Sequence, residues 1–283
     1  MKVLCGRECS QVLTRAFRDL GHEAFSCDLN PAYGSSASKG WHWQEDIEKV
    51  MAREGPFDII CLFPPCIYLS CVGNRWMTAK NSDGRLKFPD RQKKRDEAIA
   101  FSKRIYDNAP STHVMLENPK GVLSTQWRAP NQRVCPTMFG DKMRKTTCLW
   151  TKGLPLLTQV GIRAMPDLIR KTNGEIVNAW HENTKYLPHE MATQIRSQLA
   201  PCFALALATQ YSQYVLQEMG FDPPVQTNAT APTCRLPCPK SKIDMVSKKT
   251  PGGNDACDDE TMHIGDRSLH IVVQKGGTLN IFK

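Results

Sequence analysis

Residues 57–66 read FDIICLFPPC. The near-continuous apolar run 57–63 lacks the alternation of a half-exposed strand. It therefore predicts a strand buried on both faces of a parallel sheet. Pro64-Pro65 stop that strand, because neither residue can donate to a ladder. Cys66 follows at once, just beyond the strand's carboxyl end, where open α/β sheets bind their ligands. Toward the N-terminus, residues 2–5 predict a short strand and residues 11–20 a helix, with Val12, Leu13, Ala16, Phe17 and Leu20 at helical spacing before Gly21. A second strand at 23–27 closes on Asp28, and a helix at 46–53 ends at Gly55-Pro56. Toward the C-terminus come a helix at 90–108, a strand at 113–116 running into Glu117-Asn118-Pro119, a strand at 146–150, and helices at 188–196 and 203–219. Strands alternating with helices over about 220 residues indicate an α/β fold with a mainly parallel sheet.

Composition sets the surroundings. A chain of 283 residues that is 41% hydrophobic and 8% aromatic is too apolar for a disordered protein. No apolar run approaches the roughly 18 residues of a membrane span, and the first residues lack the long apolar stretch of a secretory leader. A monomer in the cytoplasm is the expectation. The twelve cysteines are scattered without a pair of CxxC motifs, so most are expected to be small buried hydrophobes in a reduced compartment. Cys234, Cys238, Cys257 and His263 lie in a Pro- and Ser-rich stretch and make a poor zinc set. The formal net charge of +9 favours an anionic partner, nucleic acid being the usual one. Residues 221–283 hold 8 Lys and Arg against 7 Asp and Glu, leaving +8 to residues 1–220. The division is therefore a catalytic-type α/β domain at 1–220, followed by a linker at 221–283 with a possible hairpin around Gly276-Gly277.

Two constellations carry chemistry. The turn Cys5-Gly6-Arg7-Glu8 joins the first strand to the first helix, and Asp28 ends the second strand 22 residues after Gly6. That spacing suits a carboxylate receiving a ribose hydroxyl. The full G-x-G-x-x-G pattern is absent, so a nucleoside without pyrophosphate, such as the adenosyl half of S-adenosylmethionine, fits better than a dinucleotide. The second constellation is Cys66 with Glu117, 51 residues later and likewise beyond a buried strand. If the two strands are neighbours, a thiol and a carboxylic acid share one pocket. That pair suits covalent attack on an electron-poor ring which the acid activates. Taken singly, Cys66 reads equally as an inert buried thiol and Glu117-Asn118-Pro119 as a polar turn.

In order along the chain, these motifs resemble the DNA cytosine-C5 methyltransferases, more closely their short phage-type members. Pro65-Cys66 looks like that family's nucleophile loop, and Glu117-Asn118 is similar to its Glu-Asn-Val element with Pro119 in place of valine. Residues 4–17 resemble the first cofactor motif, Asp28 the ribose acid and Asp46-Ile47 the adenine contact. Residues 144–150 (RKTTCLW) stand where the family has its basic strand, and 196–210 resemble the terminal motif that packs back onto the cofactor site.

The resemblance implies a Rossmann-like, S-adenosylmethionine-dependent methyltransferase. Cys66 would attack C6 of cytosine, Glu117 would hold or protonate N3, and Asn118 and Arg144 would complete the catalytic set. Cys5, Gly6, Glu8, Asp28, Leu29, Asp46, Ile47, Phe63 and Pro64 would line the cofactor site. Pro65, Tyr68, Arg75, Trp76 and Thr146 would meet the substrate, with residues 67–90 as a mobile loop closing over it. The run 85–104, with eight Lys and Arg against three Asp and Glu, would reach phosphates. Two departures stand out. Arg7-Glu8-Cys9 replaces the first motif's second glycine, and only residues 151–187 separate the basic strand from the final motif, leaving little or no target-recognition domain. DNA is the implied partner, with RNA or a free cytosine nucleotide, or a non-catalytic nucleic-acid binder, as alternatives.

Overall fold

The computed structural model describes residues 1–34 and 38–221, and the backbone of four strands beyond them. In chain order the main elements are β1 (Lys2–Gly6), α1 (Val12–Asp19), β2 (Glu23–Asp28), β3 (His42–Gln44), α2 (Ile47–Glu54), β4 (Ile59–Leu62), α3 (Arg91–Asp107), β5 (His113–Pro119), α4 (Leu123–Gln126), β6 (Gln132–Val134) and β7 (Thr147–Lys152). There follow β8 (Leu168–Arg170), β9 (Ile176–Asn178), α5 (Ala179–Asn183), α6 (His189–Ser197) and α7 (Pro201–Glu218). Seven strands form one sheet in the order β3-β2-β1-β4-β5-β7-β6, parallel except for β7, which runs antiparallel to both β5 and β6. This is a mixed, mostly parallel α/β sheet, consistent with the expected Rossmann-like methyltransferase fold.

Strand alternation explains the three layers. Val3, Cys5, Ile59, Cys61, Met115 and Leu149 point to one face, where α1 and α7 cover them with Phe17, Phe203, Leu207 and Tyr211. Leu4, Ile60, Leu62, Val114, Leu116, Cys148 and Trp150 point to the other, under Val50 and Met51 of α2 and Ile99 and Ile105 of α3. Both faces being covered is why these strands are apolar without a break. Local signals close the helices. Gly21 takes φ 82° directly after α1, and the Asp46 carboxylate accepts the Glu48 and Lys49 amides at 2.9 and 3.4 Å to start α2. Burial pushes up the thiols of Cys5, Cys27, Cys61 and Cys148, which makes them the small buried hydrophobes expected.

Two expectations change. The strand at 113–116 extends to Pro119, so Glu117 lies within β5 rather than past its end. The physical reason is β7, whose antiparallel ladder pairs Glu117 with Leu149 and Pro119 with Thr147, beyond the point where β4 has stopped. The segment 151–187 is more than a bare loop, since it carries the β8–β9 pair and α5. Beyond residue 221, β10 (Val246–Ser247), β11 (Asp258–Ile264), β12 (Arg267–Gln274) and β13 (Thr278–Phe282) pair as an antiparallel sheet, with β12 and β13 flanking Gly276-Gly277. Cys234, Cys238 and Cys257 lie outside the described residues. Among the described residues no helix is long and apolar enough to cross a membrane.

Candidate active site

Strand order locates the site. From β1 the chain builds outward to β2 and β3 on one side and to β4 and β5 on the other, so the loops after β1 and β4 diverge and leave a crevice at their carboxyl ends. The loop after β1 brings residues 7–11 there, the loop after β4 brings Cys66, and β2 brings Asp28.

On the β1 side the structure sorts the expected cofactor residues into two groups. Arg7 adopts φ 68°, the left-handed conformation a glycine would take freely, and so preserves the turn despite lacking that glycine. Its amide and that of Glu8 both donate to Cys27 O, and its guanidinium stands 3.5 Å from Asp28, which is nearly buried. Asp28 also accepts the Asn30 amide at 2.9 Å, and beside it Leu29 is 58% exposed. Leu29 therefore remains open to a nucleoside, whereas Asp28 is buried and already engaged by Arg7 and Asn30, and the Arg7 and Glu8 amides are taken by Cys27 O.

The others are spoken for. Cys5 and Ile47 are fully buried core residues. Gly6 is required by packing: a Cβ there would collide with the Ile47 side chain and lie 3.2 Å from Leu62 Cδ2. Glu8 is the N-terminal acceptor of α1, taking the amides of Leu13 (2.7 Å) and Thr14 (3.1 Å) and the Thr14 hydroxyl (2.7 Å). Asp46 caps α2. A helix start and a nucleotide turn carry the same local signature, so the sequence could not divide these roles.

The Cys66 side is built from two loops fastened together. Leu69 and Ser70 donate their amides to Cys66 O, closing a tight turn around the cysteine. Val122 N donates to Leu69 O at 2.9 Å and Cys71 N to Lys120 O at 3.0 Å, which joins this turn to the segment leaving β5. Gly121 makes the approach possible, because a Cβ would strike the Leu69 carbonyl. The buried Asn118 side chain donates to Pro64 O at 2.8 Å. Asn118 thus holds the Pro-Pro turn in place through its amide nitrogen. Pro64 is buried, and Phe63 N donates to Gly6 O, joining the β4 and β1 turns.

The Glu117 charge acts on Cys66. Burial pushes the Glu117 carboxyl up, so it holds its proton into a higher pH range than an ordinary glutamate. Thr147 Oγ1 donates to Glu117 Oε1. Cys66 is exposed at the mouth, while desolvation and then the Glu117 charge push its thiol up and Lys145 opposes them. Lys145 also lowers Glu117. Residues entering β7 alternate in direction: Lys145 and Thr147 face this pair, whereas Arg144 and Thr146 are exposed. The expected pair Arg144 and Thr146 lies exposed just before β7, alternating with Lys145 and Thr147. The signal that could have found Lys145 and Thr147 was strand parity, which needs a known register.

Residues 67–90 are shaped by α3. Arg95 of α3, almost fully buried, donates to Tyr68 O (2.9 Å) and Asn74 Oδ1 (2.7 Å), and Arg91 donates to Ile67 O at 2.9 Å and covers the Tyr68 ring. A single 3-10 segment, Cys71–Trp76, follows, with Trp76 edge-on to Phe88 and Arg75 over the Trp76 ring. Arg104 meanwhile is bound bidentately to Glu48. The run 85–104 is thus not wholly a phosphate face, since Arg91, Arg95 and Arg104 serve the fold. On the far side α7 packs on α1, and the buried Asp141 accepts the Cys202 and Phe203 amides that begin α7. Tyr33, from the loop after β2, donates to Gln194 O of α6 at 3.0 Å.

No protein-family model matches the chain, and no curated protein matches it. Among solved structures it is similar to the crystal structure of a candidate DNA modification methyltransferase encoded within an E. coli prophage, at 16% identity and a TM-score of 0.34. The match covers 67% of this chain and 56% of that one, so the chain spans a little over half of that protein's length.

Proposed function

We propose that the protein methylates cytosine at C5 in DNA, using S-adenosylmethionine, with residues 1–220 as the catalytic unit. The observation that carries this reading is the juxtaposition of an exposed thiol, Cys66 beyond β4, and a buried carboxyl whose titration is pushed up, Glu117 in the adjacent parallel strand β5, beside the crevice. Leu29, beside Asp28 and the Arg7 turn, is open to an adenosyl group; S-adenosylmethionine, when bound, supplies the methyl group. The Cys66 thiolate attacks C6 of the ring while Glu117 gives its proton to N3, so the electron pair arriving at C6 is drawn to C5. C5 would take the methyl group and lose its proton to solvent, the re-forming C5–C6 double bond would expel the Cys66 thiolate, and N3 would return its proton to Glu117. Thr147 orients the Glu117 carboxyl, and Asn118 keeps the Cys66 turn in register with it. In a duplex the base must leave the stack to reach this pair.

A second reading keeps the chemistry and changes the substrate to RNA or a cytosine nucleotide. It is favoured by the small size of the 151–187 segment. Labelled methyl transfer from S-adenosylmethionine to DNA, RNA and dCMP in parallel separates them, with Cys66→Ser as control. Label on DNA, lost in Cys66→Ser, is expected; label on RNA or dCMP alone moves the assignment to that substrate. Label retained at the wild-type rate by Cys66→Ser overturns the covalent route. No label with any substrate, together with tight nucleic-acid binding, would make the protein a binder on an enzyme's fold. DNA carrying 5-fluorocytosine should be trapped on Cys66, since fluorine cannot leave C5 as a proton does.

A further inference from the structure

The cation whose charge acts on both Cys66 and Glu117, Lys145, belongs to neither of the loops that carry them. Lys145 approaches β7 two residues before Thr147, whose hydroxyl bonds Glu117, and Glu117 itself pairs with Leu149. Lys145, Thr147 and Leu149 therefore share the sheet face toward α6 and α7. The Lys145 ammonium donates to Arg196 O at 2.9 Å and Gln198 O at 3.2 Å, and stands 5.6 Å from the Trp180 ring centre. These two carbonyls sit at the C-terminal end of α6, where the helix leaves acceptors unsatisfied and favours a positive charge. An ammonium has three N–H groups, so two are spent on holding the side chain and one is left over. Helix α6 is itself fixed: Tyr33 donates to Gln194 O, and Arg196 donates to Thr184 Oγ1 at 2.7 Å.

We infer that Lys145 is a positioning residue for the nucleophile, an ammonium group anchored on the end of α6 so that its charge is presented to the Cys66 thiol and the Glu117 carboxyl. The charged groups that act on Cys66 are Glu117 from β5 and Lys145 from the approach to β7. The Glu117 charge disfavours a thiolate at Cys66 and the Lys145 charge favours one, so the ammonium offsets the repulsion between the two acidic groups.

The inference deepens the reading of Cys66 as nucleophile, but the acidity of a thiol can be read without methyl transfer. The experiment is alkylation of Cys66 by iodoacetamide against pH, in full-length protein carrying Cys71→Ser, with the modified peptide quantified by mass spectrometry. Lys145→Gln keeps an N–H for the α6 carbonyls and removes the charge. Its alkylation midpoint is expected to rise by about one pH unit or more, so that the rate below the midpoint falls roughly tenfold. Lys145→Arg is expected to return the midpoint toward the wild-type value, which a merely structural role would not require. If Lys145→Gln does not fold, Lys145→Met provides the neutral side chain with its stem still against Trp180. A midpoint unmoved in the neutral variant, or an arginine variant no better than the glutamine one, overturns the inference. Failure of every methyl-transfer assay with the shift intact would instead overturn the substrate reading alone.

Discussion

Replacing Gly121 by alanine tests how the two loops of the site are joined. A Cβ at this position would strike the Leu69 carbonyl oxygen and lie 2.7 Å from Leu69 C and 2.9 Å from Ser70 Cα. All three are backbone atoms, so no side-chain rotation relieves the clash and the strands of chain must separate. Separation breaks the bonds from Val122 N to Leu69 O and from Cys71 N to Lys120 O, each worth about 0.5–1.5 kcal/mol net. Overpacking strain adds about 1–3 kcal/mol. The expected loss is thus about 2–6 kcal/mol, a large share of the roughly 5–15 kcal/mol that holds a domain. The displacement also reaches the chemistry. Leu69 and Ser70 donate to the Cys66 carbonyl, and a nucleophile misplaced by about 1 Å costs on the order of a hundredfold in rate. Urea unfolding followed by circular dichroism measures the first quantity, and methyl transfer at saturating substrate the second. A Gly121→Ala protein within about 0.5 kcal/mol of wild type, with Cys66 alkylated at an unchanged rate, would refute the reasoning.

Other perturbations follow from the same geometry. Gly6→Ala should cost about 1–3 kcal/mol by driving a methyl into Ile47, and Ile47→Val, which removes the obstructing methyl, should recover much of it; simple additivity in a double-mutant cycle would count against a direct clash. Glu117 titrates higher in the folded protein than in the unfolded chain, so its contribution to stability is complete below the ordinary carboxylate range and is lost as pH rises through the raised value. Glu117→Gln should accordingly be more stable than wild type near neutral pH, with the advantage fading toward pH 4, while methyl transfer is lost; thermal midpoints across that range check the sign. Asp141→Ala removes the acceptor of the Cys202 and Phe203 amides and should cost about 1–3 kcal/mol, read by chemical unfolding.

Much of the frame was legible because long apolar periods are local. Strands β1, β2 and β4 and helices α1, α3 and α7 follow from residues that decide their own conformation. β3 was not legible: His42–Gln44 spans too few residues for a period to register, and only pairing with β2 makes it a strand. β6 and the β8–β9 pair are equally short. The site was legible as a pair, Cys66 with Glu117, and less so in its supports. Which of Arg144, Lys145, Thr146 and Thr147 faces inward depends on the register of β7 against β5, and an error of one residue reverses the answer. Arg95 was grouped with the phosphate-reaching run 85–104 because nothing in a basic run tells a buried arginine from its neighbours.

The reversed direction of β7 sets how the 151–187 segment can be used. Residues that precede an antiparallel strand arrive at the edge its parallel neighbours reach last, so Lys145 enters the mouth without any excursion. Residues that follow it emerge at the opposite edge, where Gly153, at φ 62°, lies against Thr112 and His113 at the beginning of β5. The chain then has to climb the full height of the sheet. It does so along residues 137–142, with Val160 N bonded to Met138 O, Ala164 N to Thr137 O and Asp167 N to Lys142 O. Only after Asp167 does it regain the level of Cys66, and what remains before α6 is β8, β9 and α5. Added residues would therefore be most economically spliced between β8 and β9, at the top of the climb, where they leave the ascent intact.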